Sequence, residues 1–128
     1  MKYNPHKYQS YATYFIINNP IAAVLLEMGL GKSVITLTAM KKLFETNTVC
    51  KVLVIAPLRV ARDTWPQEIK KWDHLKGMKY AVAVGTETER KAAILRNEPV
   101  TIINRENVDW LINKSGLPFD FDMVVIDE

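Results

Sequence analysis

A chain of 128 residues, 48% of them apolar, has room for one domain with a buried core. No apolar run approaches the ~20 residues that span a bilayer, and the start lacks the apolar segment of a signal peptide. The single cysteine, Cys50, excludes an internal disulfide and indicates a reducing compartment. We therefore expect a cytoplasmic or nucleoid-associated protein without a membrane partner. A balance of 17 Lys and Arg against 14 Asp and Glu permits contact with nucleic acid but does not by itself predict it.

The first predicted elements are a helix, a strand and a second helix. The first helix begins at Asn4-Pro5, with Asn as N-cap and Pro at the first helical position, and ends before Asn18. The continuous apolar run from Ile21 to Leu26 predicts a strand that is buried on both faces. Glycines at 29 and 31 then break the chain, and Lys32 to Phe44 is predicted to be helical.

The rest of the chain continues this alternation. Trp65 and Trp72 recur on one helical face, which favours packing in the core over stacking on bases, and Pro66 predicts a kink or a late start in their helix. Apolar strands that alternate with helices predict an α/β fold, with a parallel sheet flanked by helices. The predicted spans are a strand at Lys51–Ala56, a helix from Ala61 to Trp72, a strand at Tyr80–Val84, a helix at Glu87–Leu95, a strand at Val100–Ile103, a helix at Glu106–Asn113 and a strand at Met123–Ile126.

A Gly-Lys-Ser turn between the first strand and its helix predicts a phosphate site. Gly29 and Gly31 let the backbone wrap closely around a triphosphate and point N–H groups at it. Lys32 would place its ammonium group against the β- and γ-phosphates, and Ser33 would give its hydroxyl to Mg²⁺. The usual loop pattern would begin with glycine at position 26, where this chain has Leu26.

A pair of carboxylates follows the last predicted strand. In a phosphate-loop ATPase an acid at the position of Asp127 holds the magnesium ion, and a second acid, here Glu128, polarises the attacking water. The pair lies about 95 residues after Lys32, which is a fitting distance after alternating strand and helix units. The two motifs together predict an ATP and Mg²⁺ site.

Further motifs in the right order resemble superfamily-two helicases of the Swi/Snf branch. Pro5-His6-Lys7-Tyr8-Gln9 is similar to the adenine-recognition motif, and Glu27-Met28-Gly29-Leu30-Gly31-Lys32-Ser33 to the branch's phosphate loop, which tolerates a residue such as Leu26. Three later segments also resemble motifs of that branch: Ile55 to Arg59 with the Trp-containing helix after it, Val100 to Asn104, and Val125 to Glu128.

This resemblance implies a RecA-like phosphate-loop domain and a role for each matched residue. Gln9 would select adenine, while Met28, Gly29, Leu30, Gly31, Lys32 and Ser33 would bind the phosphates. Asp127 and Glu128 would serve magnesium and the attacking water. Arg59, Asn104 and Arg105 would lie near the phosphate backbone of DNA, although the family usually has a small hydroxyl residue near position 104.

The resemblance also implies a longer parent protein. A second RecA-like domain would complete the nucleotide site, so we expect these 128 residues to be an incomplete first domain that tends to self-associate. The leading interpretation is a motor that moves along double-stranded DNA. The alternatives are a strand-separating helicase or the motor subunit of a restriction system, and a fragment that binds nucleotide without turnover. A phosphate-loop kinase would leave Gln9 unexplained.

Overall fold

The computed structural model describes residues 1–5 and 32–127. Four parallel strands form one sheet in the order β2-β3-β1-β4, and helices pack against it, so the predicted α/β fold is confirmed. The predicted first helix and the predicted strand at 21–26 lie outside the described residues. The elements are α1 Lys32–Glu45, β1 Val52–Ala56, a π-helical turn Val60–Thr64, α2 Trp65–Lys71, a 3₁₀ turn Asp73–Leu75, β2 Tyr80–Ala83, α3 Glu87–Leu95, β3 Val100–Asn104, a 3₁₀ turn Arg105–Asn107, a second π-helical turn Trp110–Lys114 and β4 Met123–Ile126.

Strand β1 lies inside the sheet and is apolar on both faces. Val52 is in register with Val100 of β3 on one side and with Met123 of β4 on the other. Because successive side chains of a strand point to opposite faces, Val52, Val54 and Ala56 join the core shared with α1 and α2, whereas Leu53 joins the core shared with α3. The continuous apolar run that predicted this strand therefore reflects burial from two sides.

Pro66 predicted a kink or a late start in the helix after β1, and the regular part of that helix starts late. The N–H of Trp65 bonds to the carbonyl of Val60, five residues back, and the regular helix α2 begins only at Trp65. Proline has no N–H, and its ring would clash with the carbonyl four residues earlier in a regular helix. A wider π turn before Pro66, with proline among the first residues of α2, avoids that clash.

The segment after β3 is helical, as predicted over 106–113, but its turns are irregular. A 3₁₀ turn comes first, and in the π turn that follows the N–H of Ser115 bonds to the carbonyl of Trp110 at 2.7 Å. The Ser115 hydroxyl bonds back to Leu111 O at 2.6 Å and accepts from the N–H of Leu117 at 3.1 Å. These bonds to Ser115 replace a regular helical end. Within residues 1–5 and 32–127, no helix has the length and apolarity to cross a bilayer.

Candidate functional site

The carboxyl ends of the parallel strands bring several of the predicted site positions to one edge of the sheet. Strand β1 ends at Ala56, three residues before Arg59, and its register partner in β3 is Asn104. Strand β4 ends at Ile126, which is opposite Ile55 of β1, and Asp127 follows directly. Ligand sites of parallel α/β sheets lie at this edge, beyond the carboxyl ends of the strands.

Asp127 is buried, and hydrogen bonds hold both its backbone and its carboxylate. The residue is 5% exposed, and its backbone N–H donates to the carbonyl of Ile55 at 2.7 Å, which extends the pairing of β4 with β1 by one bond. The indole N–H of Trp65 donates to Oδ2 of Asp127 at 2.9 Å. A buried ionised carboxylate needs such donors, because desolvation disfavours its charge.

The first turn of α1 leaves the positive end of the helix dipole without an opposing acidic side chain. Ser33, in this turn, is buried at 8% exposure. Helix α1 packs against α2, and Val34 belongs to the same buried core as Trp65. The start of α1 and the indole that contacts Asp127 therefore belong to one packed unit.

Several predicted site residues lie outside the described part of the chain, and their roles remain predictions. The backbone of α1 begins at Lys32, directly after Gly31 in the sequence. The residues outside the described ranges are Gln9, Met28, Gly29, Leu30, Gly31 and Glu128.

Asn104 lies at the carboxyl edge of the sheet, and local hydrogen bonds occupy its side chain. Its Nδ2 donates to Oε2 of Glu106 at 2.8 Å, and its Oδ1 accepts from Nδ2 of Asn107 at 2.7 Å. The residue is 5% exposed. The pKa of Glu106 lies below its ordinary value, first because its own backbone N–H bonds to the carboxylate and then because the Asn104 amide does. Asn104 is therefore in place to shape the turn after β3.

Arg59 and Arg105 are both exposed at this edge. Neither guanidinium lies within ion-pair distance of a carboxylate of residues 1–5 or 32–127. By contrast, Arg62, one turn further on, makes an ion pair with Asp63 at 3.0 Å, which lowers the pKa of the Asp63 carboxyl. Two exposed cations on neighbouring strand ends suit contact with phosphate groups.

Asp127 at this edge and Ser33 in the first turn of α1 carry oxygen donors of the kind that a magnesium ion shared with a nucleotide takes. Mg²⁺ prefers oxygen ligands and is usually bound through one or two carboxylates together with phosphates and waters. Asp127 and Ser33 supply a carboxylate and a hydroxyl of this kind. No group of three or more Asp, Glu, His or Cys side chains suited to a metal occurs in the portion of the chain that the structure describes. A site shared with phosphates does not require one.

A surface cavity of about 600 Å³ lies at the opposite end of the sheet. It is lined by the last turns of α1 and by residues just before the strands begin, including Cys50, Lys79 and Pro99. It is separate from the edge that carries Asp127.

Trp65 was predicted from the sequence only as a core residue, but it also donates a hydrogen bond at this edge of the sheet. Its ring is buried at 1% exposure, as predicted, but its N–H contacts Asp127, 62 residues away. A buried indole N–H usually has a hydrogen-bond partner, so the sequence signals a polar partner. Only the packing of α2 against the sheet identifies that partner as Asp127.

A family model, a phage protein and a solved structure all match this chain. Residues 18–128 match the family model of the SNF2-related domain. Protein p41 of Acyrthosiphon pisum secondary endosymbiont phage 1 is 34% identical over 129 residues, covering 98% of this chain and 28% of the phage protein. The Sulfolobus solfataricus SWI2/SNF2 ATPase core, solved in complex with dsDNA, has the same fold, with a TM-score of 0.76 and 23% identity. That match covers 100% of this chain and 26% of the archaeal one, so the chain spans about a quarter of either relative.

Proposed function

Because this chain belongs to the SNF2-related domain family, we propose that it is the ATP-binding N-terminal portion of the first RecA-like domain of a DNA-dependent motor. In the full-length protein, ATP hydrolysis would drive movement along double-stranded DNA, and a second RecA-like domain would close the nucleotide site. The observation that carries this proposal is the position of Asp127. It is a buried carboxylate at the carboxyl end of a parallel strand, held next to β1.

Each residue of the proposed nucleotide site has a distinct task. Lys32 and the backbone of residues 28–33 would bind the phosphates at the start of α1, where the helix dipole favours an anion. Gln9 would select adenine. Ser33 and Asp127 would hold Mg²⁺, which when bound supplies positive charge at the β- and γ-phosphate oxygens. Glu128 would orient and polarise the attacking water.

The proposed DNA contacts lie beside that site. Arg59 and Arg105 follow neighbouring strands, and both are exposed at the same edge as Asp127. Guanidinium groups suit phosphate oxygens, which fix position without reading sequence. The archaeal relative was solved with dsDNA, which supports duplex DNA as the partner.

Calorimetry of Mg²⁺-ATP binding to this chain tests the nucleotide site. We expect Lys32→Ala to lose at least about 1.5–3 kcal/mol of binding free energy, as for a charged hydrogen-bonding partner. Lys42→Ala is the matched control, since Lys42 lies in the last turn of the same helix and is exposed beside Glu45. A folded parent chain that binds no Mg²⁺-ATP, or equal binding by both variants, would refute the assignment.

The motor activity is tested on the full-length protein. We expect duplex DNA to stimulate ATP hydrolysis and Lys32→Ala to abolish that stimulation. A triplex-displacement assay reports translocation without strand separation, whereas a forked duplex reports unwinding. Unwinding of the fork would favour the strand-separating helicase. A rate of ATP hydrolysis that is the same with and without DNA would exclude both kinds of motor.

A further inference from the structure

We propose that Trp65 is a positioning residue of the nucleotide site, whose indole N–H sets the orientation in which the Asp127 carboxylate meets Mg²⁺. The inference rests on the proposed function and adds to it a residue from outside the acidic motif. The observation is the 2.9 Å bond from Nε1 of Trp65 to Oδ2 of Asp127, between two residues that are 1% and 5% exposed.

The geometry of this bond allows one direction only. An indole N–H can only donate a hydrogen bond, so the carboxylate oxygen of Asp127 is the acceptor. A carboxylate has about four lone-pair positions, so accepting one indole N–H is compatible with binding a metal as well. Donors behind a metal-binding side chain commonly orient it and tune its affinity.

Both partners are anchored independently of each other. The Trp65 ring packs in the core formed by α1, α2 and one face of the sheet, together with Ala61 and Ile69. The backbone of Asp127 is fixed by its bond to Ile55 O at 2.7 Å. With the ring and the strand both fixed, the N–H to Oδ2 bond restricts rotation of the carboxylate about its last side-chain bond.

The π turn before Trp65 determines where the indole points. In this turn the N–H of Trp65 bonds to the carbonyl of Val60, five residues back, so the turn contains one residue more than a regular α-helical turn. In a helix of 3.6 residues per turn, one extra residue rotates everything after it by about 100°. The path from the end of β1 to the indole therefore depends on this turn.

The contacts also include two other indole–carboxylate bonds that lie away from the proposed metal. Directly after α2, Nε1 of Trp72 donates to Oε2 of Glu68, and elsewhere Nε1 of Trp110 donates to Oε1 of Glu87 at 3.2 Å. These pairs have the same chemistry without an acidic-motif partner. Trp72→Phe is therefore a matched control for Trp65→Phe, because each change removes an N–H and keeps an aromatic ring.

The test is ATP affinity measured by calorimetry with Mg²⁺ and with EDTA, on the parent chain, Trp65→Phe and Trp72→Phe. We expect Trp65→Phe to weaken Mg²⁺-ATP binding about 10- to 100-fold, the usual effect of losing a donor behind a metal ligand. Metal-free ATP binding should stay within about twofold of the parent, and Trp72→Phe should behave as the parent does. A purely structural role for Trp65 would instead weaken both forms equally and would overturn the inference.

A second measurement uses the unmutated protein and does not depend on the stability of Trp65→Phe. In a ¹⁵N–¹H spectrum, the Trp65 indole peak, assigned with the help of the Trp72→Phe and Trp110→Phe variants, should move when Mg²⁺ is added to the ATP-bound chain. The Trp72 and Trp110 peaks should stay in place. An unmoved Trp65 peak alongside Lys32-dependent Mg²⁺-ATP binding would overturn this inference alone. Absence of nucleotide binding by the folded parent would overturn the proposed function and this inference with it.

Discussion

The backbone N–H of Asp127 donates to the carbonyl of Ile55 at 2.7 Å, so the acidic motif extends the pairing of β4 with β1. Strand β1 pairs on its other side with β3, whose last residue, Asn104, is opposite Ala56. The proposed metal ligand and the proposed DNA-contact loops are therefore attached to three adjacent strands. The effect of a substitution in one of these loops can therefore be compared with the effect of a substitution in another, while the strands of the sheet stay unchanged.

Removing the Ser33 hydroxyl should affect nucleotide binding only when the metal is present. We expect Ser33→Ala to weaken Mg²⁺-ATP binding at least about tenfold, or roughly 1.4 kcal/mol, because the variant has no metal-facing oxygen in the first turn of α1. Calorimetry with Mg²⁺ and with EDTA measures the difference. Ser33→Thr restores a hydroxyl and should restore binding. Equal weakening with and without metal would contradict a role for Ser33 toward Mg²⁺.

The exposed arginines at the carboxyl edge should govern DNA affinity and its dependence on salt. In the full-length protein we expect Arg59→Ala with Arg105→Ala to weaken duplex binding regardless of sequence. The slope of log affinity against log salt concentration should fall by about 1 for each phosphate group that the variant no longer neutralises. Fluorescence anisotropy over a salt series measures both quantities.

Arg96 provides the control for this experiment. It is an exposed arginine at the opposite end of the sheet, where its Nη2 lies 3.5 Å from the carbonyl of Tyr80 and 3.7 Å from Glu98. Arg96→Ala removes one positive charge, as Arg59→Ala or Arg105→Ala alone does. A decrease in DNA affinity comparable to that of either single variant would show that net charge, and not the carboxyl edge, determines binding.

Asn104 should contribute to stability. Asn104→Ala removes two hydrogen bonds at a 5% exposed position and should cost about 1–3 kcal/mol of unfolding free energy. Urea unfolding of this chain measures the decrease. The control is Asn113→Ala, because the exposed Asn113 side chain makes one bond, to Asp109 at 2.7 Å, and its removal should cost less than about 0.5 kcal/mol. A stable Asn104→Ala variant with impaired DNA binding would instead favour direct contact with DNA.

His74 should make the chain less stable as the pH falls below neutrality. The Thr38 hydroxyl donates to Val34 O at 2.6 Å, so at its 2.8 Å contact with His74 it accepts from Nε2–H. The buried Nδ1 has no hydrogen-bond partner among the described residues, and protonation would place a further unpaired N–H there. Burial first, and then the charge of Lys41, lowers the pKa of His74 below its ordinary value, against an opposing effect of Asp73.

The sign of the pH effect follows from that lowered pKa. The unfolded chain takes up the His74 proton near pH 6.5 and the folded chain takes it up at a lower pH. The stabilisation is therefore complete above about pH 6.5 and is lost as the pH falls from there through the folded-state pKa. Urea unfolding between pH 7.5 and 5 should show this decrease in the parent and a smaller decrease in His74→Gln. The same decrease in both would assign it to other groups.

Periodicity and motif spacing were sufficient for the α/β fold and for most of its elements. The spans of α3 and β4 were predicted to the residue, and Pro66 predicted a kink or a late start, of which the regular part of α2 shows the late start, because these features depend on local chemistry. The helix predicted over 106–113 is present, but it is irregular. Its irregularity depends on hydrogen bonds of Ser115 with Leu111 and Leu117, which periodicity does not reveal.

The residue types of the proposed site could be read from the chain alone: a lysine and a serine after a glycine turn, and a carboxylate at the end of a buried strand. These choices follow from phosphate and magnesium chemistry and from the position of the motifs along the chain. The contact of Trp65 with Asp127, and the occupation of Asn104 by Glu106 and Asn107, became known only from the folded structure. A buried donor requires an acceptor, but which acceptor it meets depends on how α2 and the turn after β3 pack against the sheet.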